Sequence, residues 1–317
     1  MENHFDLIVV GAGAAGLTAG IYLSRAKVST LILNEGAVGG QMVLTHEIAN
    51  YPGVESISGY QLARNMKTQA QKFGCVIKSN IKITNLDLEG GTKSVEVNNK
   101  EVYTAHAIIL ATGGKSRTLG VPGEDKFKGK GISYCATCDG DFFQDKEIIV
   151  VGGGNSALEE AVSLTKYASK VTIIHQFDNF QALEHYVEEA KNNSKINFIM
   201  ESKIIEFAGD ESLKKVRIQN QATQEITEMI VDGVFIFIGY VPNTEKIGGK
   251  VALNNYGEII VDKNMATNIA GIYAAGDSIA KRYRQVTTAV ADGTIAALSA
   301  SEYINNIKKE LHLVSTN

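Results

Sequence analysis

The sequence predicts an α/β protein in which two Rossmann-like nucleotide-binding domains share one chain, the second inserted in the first. Two segments each predict a strand, a glycine turn, a helix and a second strand, and the glycine turns begin 141 residues apart (152 minus 11). Further buried strands end in small residues, and two stretches alternate apolar and polar residues as antiparallel ribbons do. Together these elements predict a three-layer ββα arrangement for both domains.

The two repeated segments match element by element. In the first, the apolar run 5–10 is typical of a buried parallel strand, and it is followed by a glycine turn at 11–16. A helix is predicted over 17–26 and a strand over 28–33. The second copy comprises a strand at 148–151, a turn at 152–157, a helix through residue 164 and a strand at 171–174. The period is far too long for a solenoid.

The remaining elements indicate where the domains begin and end. Three more strands run into small-residue turns at 107–113, 233–239 and 271–277, and the alternating stretches lie at 95–103 and 215–228. The chain is predicted to cross between domains at 114–117 and 240–244, where Pro242 suits a linker. The predicted domains are 1–116 with 244–317, and 117–243.

The composition excludes several functional classes. Hydrophobic residues make up 44% of the 317 residues, enough for a packed core. The net charge of −4 comes with no polybasic block, which argues against nucleic-acid and membrane-surface partners. No apolar stretch approaches the roughly 20 residues of a membrane span. The acidic N-terminus is unlike a signal peptide, so we expect a cytoplasmic protein.

The first glycine turn has the context of a dinucleotide site. It follows a strand and opens a helix, and Glu35 lies about 20 residues further on, as such sites require. Gly11 allows the tight turn, Gly13 lets a pyrophosphate approach backbone N–H groups, and Gly16 permits close packing of helix on strand. The helix N-terminus adds partial positive charge for the phosphates.

Cys135 and Cys138 form the chemically informative pair among the three cysteines. A zinc site needs four ligands, and no second pair of cysteines or histidines stands at a suitable spacing, so no metal site is predicted. Redox chemistry needs only the two thiols, and Asp139 directly after them can move a proton to or from a departing thiolate. Cys75 starts an apolar run and is interpreted as a buried small hydrophobe.

The block Cys-Ala-Thr-Cys-Asp-Gly at 135–140, just before the second glycine turn, resembles the low-molecular-weight flavin thioredoxin reductases. Shorter matches extend over nearly the whole chain: Gly39-Gly-Gln41, Asn50-Tyr-Pro-Gly53, Ala111-Thr-Gly113, Ala274-Ala-Gly-Asp277 and Tyr283-Arg-Gln285. The resemblance implies a homodimer with FAD in the first domain, and a second domain that carries the redox disulfide and normally binds NADPH. It also implies thioredoxin as partner.

The same resemblance assigns residues. Positions that match the family's motifs are expected to hold FAD: Gly11, Gly13, Ala14, Ala15, Gly16, Asn34, Glu35, Gly40, Gln41, Asn50, Thr112, Gly113, Asp277, Arg284, Gln285 and Val286. Whether Asn34 or Glu35 contacts the ribose stays open. Cys138 would face the flavin, Cys135 would attack the thioredoxin disulfide, and Asp139 would serve as acid. The family's domains rotate, because one cysteine pair cannot face buried flavin and external thioredoxin at once.

One departure from the family concerns the electron donor. Members that use NADPH carry arginines after the second strand of the inserted domain, and here Gln176, Phe177 and Gln181 stand instead. Each lost guanidinium contact to the 2′-phosphate costs about 1.5–3 kcal/mol. This pattern resembles the ferredoxin-dependent flavin thioredoxin reductases and favours ferredoxin as donor. Asp178 leaves NADH open, if the turn bends back to bring it to the ribose.

An acidic ferredoxin requires a basic docking face. Two groups are candidates, Lys126, Lys128 and Lys130 before the cysteines, and Lys281, Arg282 and Arg284 beside the expected flavin segment. Two further hypotheses stay open. A nicotinamide-driven reductase could act on another carrier, such as a glutaredoxin-like domain. A redox-sensing flavoprotein scaffold would account for the missing arginines, but it leaves the intact cysteine block unexplained.

Overall fold

The chain divides into two compact units. The computed structural model describes residues 3–45, 47–247 and 249–315, with side chains as far as residue 309. One unit comprises Met1–Lys115 and Val241–Asn317, and the other comprises Ser116–Tyr240. The predicted boundaries, after residues 116 and 243, lie one and three residues beyond these.

The described residues form the following strands and helices. The strands are β1 (His4–Val10), β2 (Thr30–Asn34), β3 (Val76–Ser79), β4 (Ile83–Asp87), β5 (Lys93–Val97), β6 (Glu101–Leu110), β7 (Gly114–Ser116), β8 (Ile132–Ser133), β9 (Glu147–Val151), β10 (Lys170–Ile174), β11 (Ile196–Ile199), β12 (Ser202–Gly209), β13 (Leu213–Asn220), β14 (Ile226–Ile230), β15 (Gly233–Ile236), β16 (Tyr240–Pro242) and β17 (Ile272–Ala274). The helices are α1 (Ala14–Arg25), α2 (Gly59–Lys72), α3 (Glu124–Phe127), α4 (Ala136–Asp139), α5 (Asn155–Leu164), α6 (Glu184–Lys191) and α7 (Val286–Ser315). Short 3₁₀ helices lie at Gly40–Leu44, Gly140–Phe143 and Gly276–Ser278.

The first unit is built on a seven-stranded sheet in the order β3-β2-β1-β6-β5-β4, with β17 also paired to β6. β6 has room for both neighbours because its first half pairs with antiparallel β5 and its second half with parallel β17. β1 lies parallel between β2 and β6. The nucleotide-binding turn therefore leaves the sheet at the carboxyl end of a central strand, where ligands of such sheets bind.

Alternation along β1 divides the core of the first unit into two faces. Leu7 and Val9 pack with the small residues of α1 and α7, whereas Ile8 and Val10 pack with the apolar residues of β4 and β5. Side chains that alternate along a strand point to opposite faces, so the sheet has helices on one side and an antiparallel ribbon on the other. These are the three layers that the sequence predicts.

The second unit repeats this plan. Its parallel sheet has the order β11-β10-β9-β15-β8, and β12, β13 and β14 form an antiparallel three-stranded sheet. Ile148 and Val150 pack toward α5 and α6, while Ile149 and Val151 pack toward β12 and β13. The predicted fold class, two Rossmann-like units of which the second is inserted in the first, is confirmed.

Element boundaries differ from the predicted ones by a few residues. α1 begins at Ala14, three residues before the prediction, because the helix starts inside the glycine turn. β2 begins two residues late, since Lys27 adopts a left-handed conformation, with φ +62°, in the turn that precedes it. β7 and β16 pair in a two-stranded sheet where the chain passes between units. Within the described part of the chain, no helix is long and apolar enough to cross a membrane.

Candidate functional site

The first glycine turn is held by packing at its two ends. Gly11 has φ +109°, and a methyl group there would lie 2.2 Å from the carbonyl oxygen of Ala111 at the end of β6. A methyl group at Gly16 would lie 1.9 Å from the carbonyl oxygen of Gly11. Both residues must therefore be glycine for α1 to lie against the sheet, whatever the turn binds.

The middle of this turn is open. A methyl group at Gly13 would meet nothing within 4 Å. Gly13 is the N-cap of α1, and no side chain caps this helix terminus; its first turn, which includes the buried Ala14 and Ala15, contains no acidic residue. Because the first N–H groups of a helix have no partner within it, they and the helix dipole form a cradle for a phosphate.

Asn34 and Glu35 have different roles at the end of β2. Asn34 accepts a hydrogen bond from the Ala12 N–H through Oδ1 at 2.9 Å, and its Nδ2 donates to the carbonyls of Gly36 and Ala37. Its amide therefore braces the glycine turn. Glu35 uses Oε1 to accept from the Ile83 N–H at 2.8 Å and to pair with Lys246.

Other predicted residues meet around the same turn. Gly40 starts a 3₁₀ helix with φ +57°, and a methyl group there would lie 3.1 Å from the Gly13 Cα, so the two glycines are in close approach. Gln41, the next residue, is exposed. Asn50 donates through Nδ2 to Oε1 of Gln285 at 3.3 Å, across a sequence separation of 235 residues. The fold therefore brings distant parts of the prediction together.

Thr112 and Gly113 follow β6. The Thr112 hydroxyl is buried and has no hydrogen-bond partner among the described residues. Asn243, which the sequence analysis missed, donates from Nδ2 to the Thr112 carbonyl and from its N–H to the Gly113 carbonyl, both at 2.9 Å. The signal available in the sequence was a single polar residue directly after Pro242.

Asp277 lies in a network of charges. Its Oδ1 is 3.2 Å from Lys281 Nζ, which also pairs with Asp292 Oδ2 at 2.7 Å. Burial raises the pKa of Asp277, and the Lys281 ammonium opposes this effect. Arg284 pairs with Glu258, and Val286 begins α7. Lys281 and Arg284 are therefore neutralised by carboxylates, which weakens their role in the second predicted basic group.

These features fit FAD. An uncapped helix terminus with open space at Gly13 suits the pyrophosphate, and the orphaned Thr112 hydroxyl supplies a buried polar atom that needs a partner. Asn50 and Gln285 present a joined pair of amides. All of these groups belong to the first unit.

The second unit carries the cysteine pair. Cys135 and Cys138 are joined by a disulfide with Cα atoms 5.3 Å apart. The spacing follows from α4, since residues three apart are neighbours on one helical turn. Cys135 is the N-cap, and its Sγ accepts from the Cys138 N–H at 3.2 Å. Both residues are half-buried, and no group of three or more His, Cys, Asp or Glu in the described chain is placed to hold a metal.

The Asp139 carboxyl forms a hydrogen bond with Ser133, a residue that was not predicted from the sequence. Its Oδ2 lies 2.5 Å from Ser133 Oγ, and the same Oγ accepts from the Cys135 N–H at 3.1 Å. Burial raises the pKa of Asp139, while the Ser133 hydrogen bond partly offsets the rise. The signal in the sequence was a polar residue that ends a short strand two positions before Cys135.

The second glycine turn has the same backbone frame. A methyl group at Gly152, with φ +141°, would lie 2.3 Å from the Phe237 carbonyl oxygen. At Gly153 it would lie 2.3 Å from the ring of His175. An added methyl group at Gly154 would have only the Gln181 carbonyl oxygen near it, at 3.9 Å. Gly154 is the N-cap of α5, and no side chain caps this helix terminus.

The segment after β10 lies over this turn. The His175 ring stacks on Phe180 and hydrogen-bonds the Asn179 carbonyl at 3.1 Å. Burial lowers the pKa of His175, so the ring is uncharged at neutral pH. Phe177 is half-exposed, and residues 175–183 contain neither Lys nor Arg. The segment therefore offers no cationic side chain to the 2′-phosphate of NADPH.

Two predicted groups remain exposed in the second unit. Asp178 lies on the surface of the 175–183 segment, and Lys126, Lys128 and Lys130 are exposed before β8. Lys126 lies over the Phe127 ring and Lys128 over the Tyr134 ring, so both stems are supported by aromatic contacts.

Comparison with known proteins shows which family this chain is similar to. The sequence profile of the pyridine nucleotide-disulphide oxidoreductases matches residues 5–293. The chain is 46% identical over 311 residues to a thioredoxin reductase of Peptoclostridium acidaminophilum, covering 96% of this chain and 98% of that protein. It is 41% identical over 312 residues to one of Listeria monocytogenes, covering 98% and 97%.

A solved structure agrees. The crystal structure of thioredoxin reductase from Streptococcus pyogenes superposes with a TM-score of 0.93 at 40% identity, covering 96% of this chain and 100% of that one. The chain belongs to the pyridine nucleotide-disulphide oxidoreductase family. Within that family it is a member of the low-molecular-weight thioredoxin reductases. Its cofactor is FAD, as predicted.

Proposed function

We propose that this protein is a thioredoxin reductase that takes electrons from reduced ferredoxin and passes them through FAD and the Cys135–Cys138 disulfide to thioredoxin. The observation that carries the reductase activity is the disulfide with Asp139 beside it, in a chain that also has an open dinucleotide cradle. The observation that favours ferredoxin is the cation-free segment over the second glycine turn. The protein acts as a cytoplasmic homodimer.

The second unit performs the exchange with thioredoxin. The Cys135 thiolate attacks one thioredoxin sulfur, which forms a mixed disulfide and releases the other sulfur as a thiolate. The Asp139 carboxyl donates its proton to that thiolate. Cys138 then gives its proton to the Asp139 carboxylate, and its sulfur attacks Cys135, which restores the Cys135–Cys138 disulfide. The second thioredoxin thiolate leaves and takes this proton from Asp139.

Two electrons have then passed from the two cysteines to the thioredoxin disulfide, together with two protons, one from the Asp139 carboxyl and one from Cys138. Bound FAD supplies the electron pair that returns the Cys135–Cys138 disulfide to the dithiol. The disulfide is suited to this cycle because both cysteines are half-buried rather than fully enclosed, so that a partner's sulfur can approach them.

The first unit holds the cofactor through its turn and its strand ends. The N–H groups at the start of α1 bind the pyrophosphate, and the open space at Gly13 admits it. Glu35 is the ribose contact through Oε2, because the Asn34 amide is committed to three backbone groups, whereas the contacts of Glu35 within the protein use Oε1. Thr112 donates its buried hydroxyl to the cofactor. Asp277, held by Lys281, lies ready to accept a hydrogen bond.

The charge of the residues around the second glycine turn favours ferredoxin over NADPH as donor. The 2′-phosphate of NADPH is a dianion that needs guanidinium partners. Gln176, Phe177 and Gln181 provide none, and burial keeps His175 uncharged. The exposed Lys126, Lys128 and Lys130 offer an acidic ferredoxin a positive surface.

NADH is the second candidate. The register of β1 with β2 pairs Val10 with Leu33, and that of β9 with β10 pairs Val151 with Ile174. Glu35 of the first unit therefore corresponds to Gln176 of the second, where a ribose-binding carboxylate is expected. Asp178, two residues further on, is the exposed carboxylate that favours NADH.

Anaerobic mixing of the purified flavoprotein with each donor tests the proposal. Separate stopped-flow traces with NADPH, NADH and reduced ferredoxin follow the bleaching of the flavin absorbance, and oxidised thioredoxin is then added. We expect rapid bleaching with ferredoxin alone, followed by reoxidation by thioredoxin. Fast bleaching by NADH makes it the donor instead, and Asp178→Asn then lowers that rate. Efficient bleaching by NADPH contradicts the charge argument.

The lysine surface has a matched control. Replacing Lys126, Lys128 and Lys130 by Gln is expected to slow association with ferredoxin about fivefold at low salt and little at high salt. The control replaces three other exposed lysines of the same unit, Lys166, Lys191 and Lys203, with the same change of net charge. Equal slowing in both triple variants would assign the effect to net charge alone.

A further inference from the structure

Ser133 joins the two parts of the redox site that must act together. It ends β8, it is only 4% exposed, and its hydroxyl oxygen lies near three polar atoms of the cysteine turn. Asp139 Oδ2 is 2.5 Å away, the Cys135 N–H donates to it at 3.1 Å, and the Cys135 carbonyl is 3.3 Å away. One buried hydroxyl therefore contacts both the acid and the backbone of the attacking cysteine.

A hydroxyl has one hydrogen and two acceptor positions, which limits how these contacts are shared. When Asp139 is ionised, the Ser133 hydrogen points to Oδ2 in a charge-assisted bond, and one acceptor position takes the Cys135 N–H. When Asp139 is protonated, its O–H donates to the second acceptor position, and the Ser133 hydrogen turns to the Cys135 carbonyl. The Ser133 hydroxyl, Asp139 Oδ2 and the Cys135 N–H therefore keep a partner in both states, and the Cys135 carbonyl also accepts from the Asp139 N–H at 3.2 Å.

We propose that Ser133 is a positioning residue that holds the Asp139 carboxyl in both of its protonation states: Asp139 exchanges its own proton with the sulfurs, and the Ser133 hydroxyl hydrogen turns between Asp139 Oδ2 and the Cys135 carbonyl to match, without movement of heavy atoms. This inference rests on the proposed exchange with thioredoxin, in which Asp139 gives, takes and gives a proton within one turnover. A buried carboxyl that lost its partner in one of these states would have to turn away from the sulfurs or pay the cost of an unmade hydrogen bond.

The charged surroundings of Asp139 are few. Asp141 raises the pKa of Asp139, burial raises it more, and the Ser133 bond lowers it. Helix α5, which packs against α4, carries Glu159 and Glu160. The reduced cysteines add negative charge when they are thiolates. Removing the Ser133 hydroxyl therefore leaves only effects that favour the neutral acid, and the inflection due to Asp139 should move to higher pH.

The test uses the full-length flavoprotein, reduced at its cysteines, and measures the single-turnover rate with oxidised thioredoxin across pH. Ser133→Ala is expected to slow exchange on the order of 10-fold and to move the acidic inflection to higher pH. Ser133→Thr and Ser133→Val have the same shape and differ in the hydroxyl, so Thr should recover the rate and profile and Val should not. The matched control is Ser202→Ala, which removes another buried serine hydroxyl of this unit that bonds only a backbone carbonyl.

A double-mutant cycle separates positioning from structure. In the Asp139→Asn background, Ser133→Ala should slow exchange by less than about twofold, because the residue acts through Asp139. An unchanged pH profile in Ser133→Ala, equal rates for the Thr and Val variants, or full additivity with Asp139→Asn would overturn the inference. Failure of the unmodified protein to reduce thioredoxin would instead overturn the proposed function, which is a different result.

Discussion

The first glycine turn and the second differ in what lies against the residue after the leading glycine. In the first turn this residue is Ala12, and the Asn34 side chain accepts its N–H at 2.9 Å. In the second it is Gly153, and the ring of His175 occupies the space that a side chain would fill. The strand registers make Asn34 and His175 equivalent positions. The same strand–turn–helix backbone therefore carries, at equivalent positions, an amide that hydrogen-bonds to the turn in the first unit and an aromatic ring that packs against the turn in the second.

The backbone is not what distinguishes them. In the first unit the Gly39 N–H donates to the Ala12 carbonyl at 2.8 Å, and in the second the Gln181 N–H donates to the Gly153 carbonyl at 2.8 Å. The returning chain crosses the turn in both, so this contact does not by itself exclude a nucleotide. The difference lies in the side chains and their charge, which is the basis for proposing that FAD binds at the first turn and that no 2′-phosphate binds at the second.

A strand–glycine–helix pattern alone is therefore ambiguous. Gly11 and Gly152 are both required where the turn lies against a neighbouring strand end, with carbonyl oxygens 2.2 and 2.3 Å from an added methyl group. Gly153 makes room for an aromatic ring of the same unit. Gly13 and its equivalent Gly154 both have open space around them, since an added methyl group meets nothing within 4 Å at Gly13 and only the Gln181 carbonyl oxygen, at 3.9 Å, at Gly154. In the first turn, Gly13 is therefore the glycine whose small size serves a ligand rather than packing.

The largest expected effect comes from introducing positive charge into the segment 175–183 of the second unit, which contains neither Lys nor Arg. The triple substitution Gln176→Arg, Phe177→Arg and Gln181→Arg should raise the rate of flavin reduction by low concentrations of NADPH about 100-fold, since each guanidinium contributes contacts to the phosphate. Stopped-flow flavin bleaching measures this, with NADH as the parallel substrate. The NADH rate should change little, because NADH lacks the phosphate.

Lysine at the same three positions is the control for that gain. Lysine keeps the charge and loses the planar fork of donors, so its gain should be smaller. If the arginine variant accelerates NADH and NADPH equally, the missing arginines do not explain donor choice, and the contrast between the two turns is not one of charge.

The second effect concerns the open position of the first turn. Gly13→Ala adds a methyl group that touches nothing in the protein, at φ −79° and ψ −169°, which alanine adopts easily. The cofactor-free protein should keep its melting temperature, whereas FAD affinity should fall about 10- to 100-fold because the methyl group separates phosphate from N–H groups. Quenching of FAD fluorescence on titration of the cofactor-free protein gives the affinity.

Gly91→Ala is the matched control, since a methyl group there also meets nothing within 4 Å and the residue lies in the same unit. It should leave both quantities unchanged. A Gly13→Ala protein that binds FAD normally would mean that the pyrophosphate does not lie at this turn.

The repeated strand–turn–helix unit could be predicted because short sequence patterns specify it. The buried runs at 5–10 and 148–151 and the glycines after them specify strand, turn and helix without any distant contact. The three layers could be predicted as well, because a ribbon with alternating apolar and polar residues has one apolar face, which packs on one face of the parallel sheet. The boundaries shifted by a few residues where a helix begins inside its own turn, as at Ala14.

The site was predictable only in part, since several of its contacts join distant residues. Asn50 and Gln285 were predicted singly, but their hydrogen bond depends on the fold. Ser133 and Asn243 were missed because a lone polar residue at a strand end has no pattern of its own. Lys281 was interpreted as docking charge, yet it lies between two carboxylates that are 4 and 11 residues away along the chain.

The smallest expected effect is one of stability, and it tests whether Gly153 is glycine for packing. Gly153→Ala places a methyl group 2.3 Å from a His175 ring that Phe180 and the Asn179 carbonyl hold in place, so the ring cannot simply turn away. The second unit should lose about 1–3 kcal/mol of stability from this overpacking. Hydrogen exchange of the β9 and β10 amides measures the loss locally, which matters because two units need not unfold together. Adding His175→Ala should remove most of the penalty of the methyl group, since the two changes act on one contact. If Gly153→Ala is harmless, or if its cost persists without the ring, the histidine does not fill the second turn and the two turns differ only in charge.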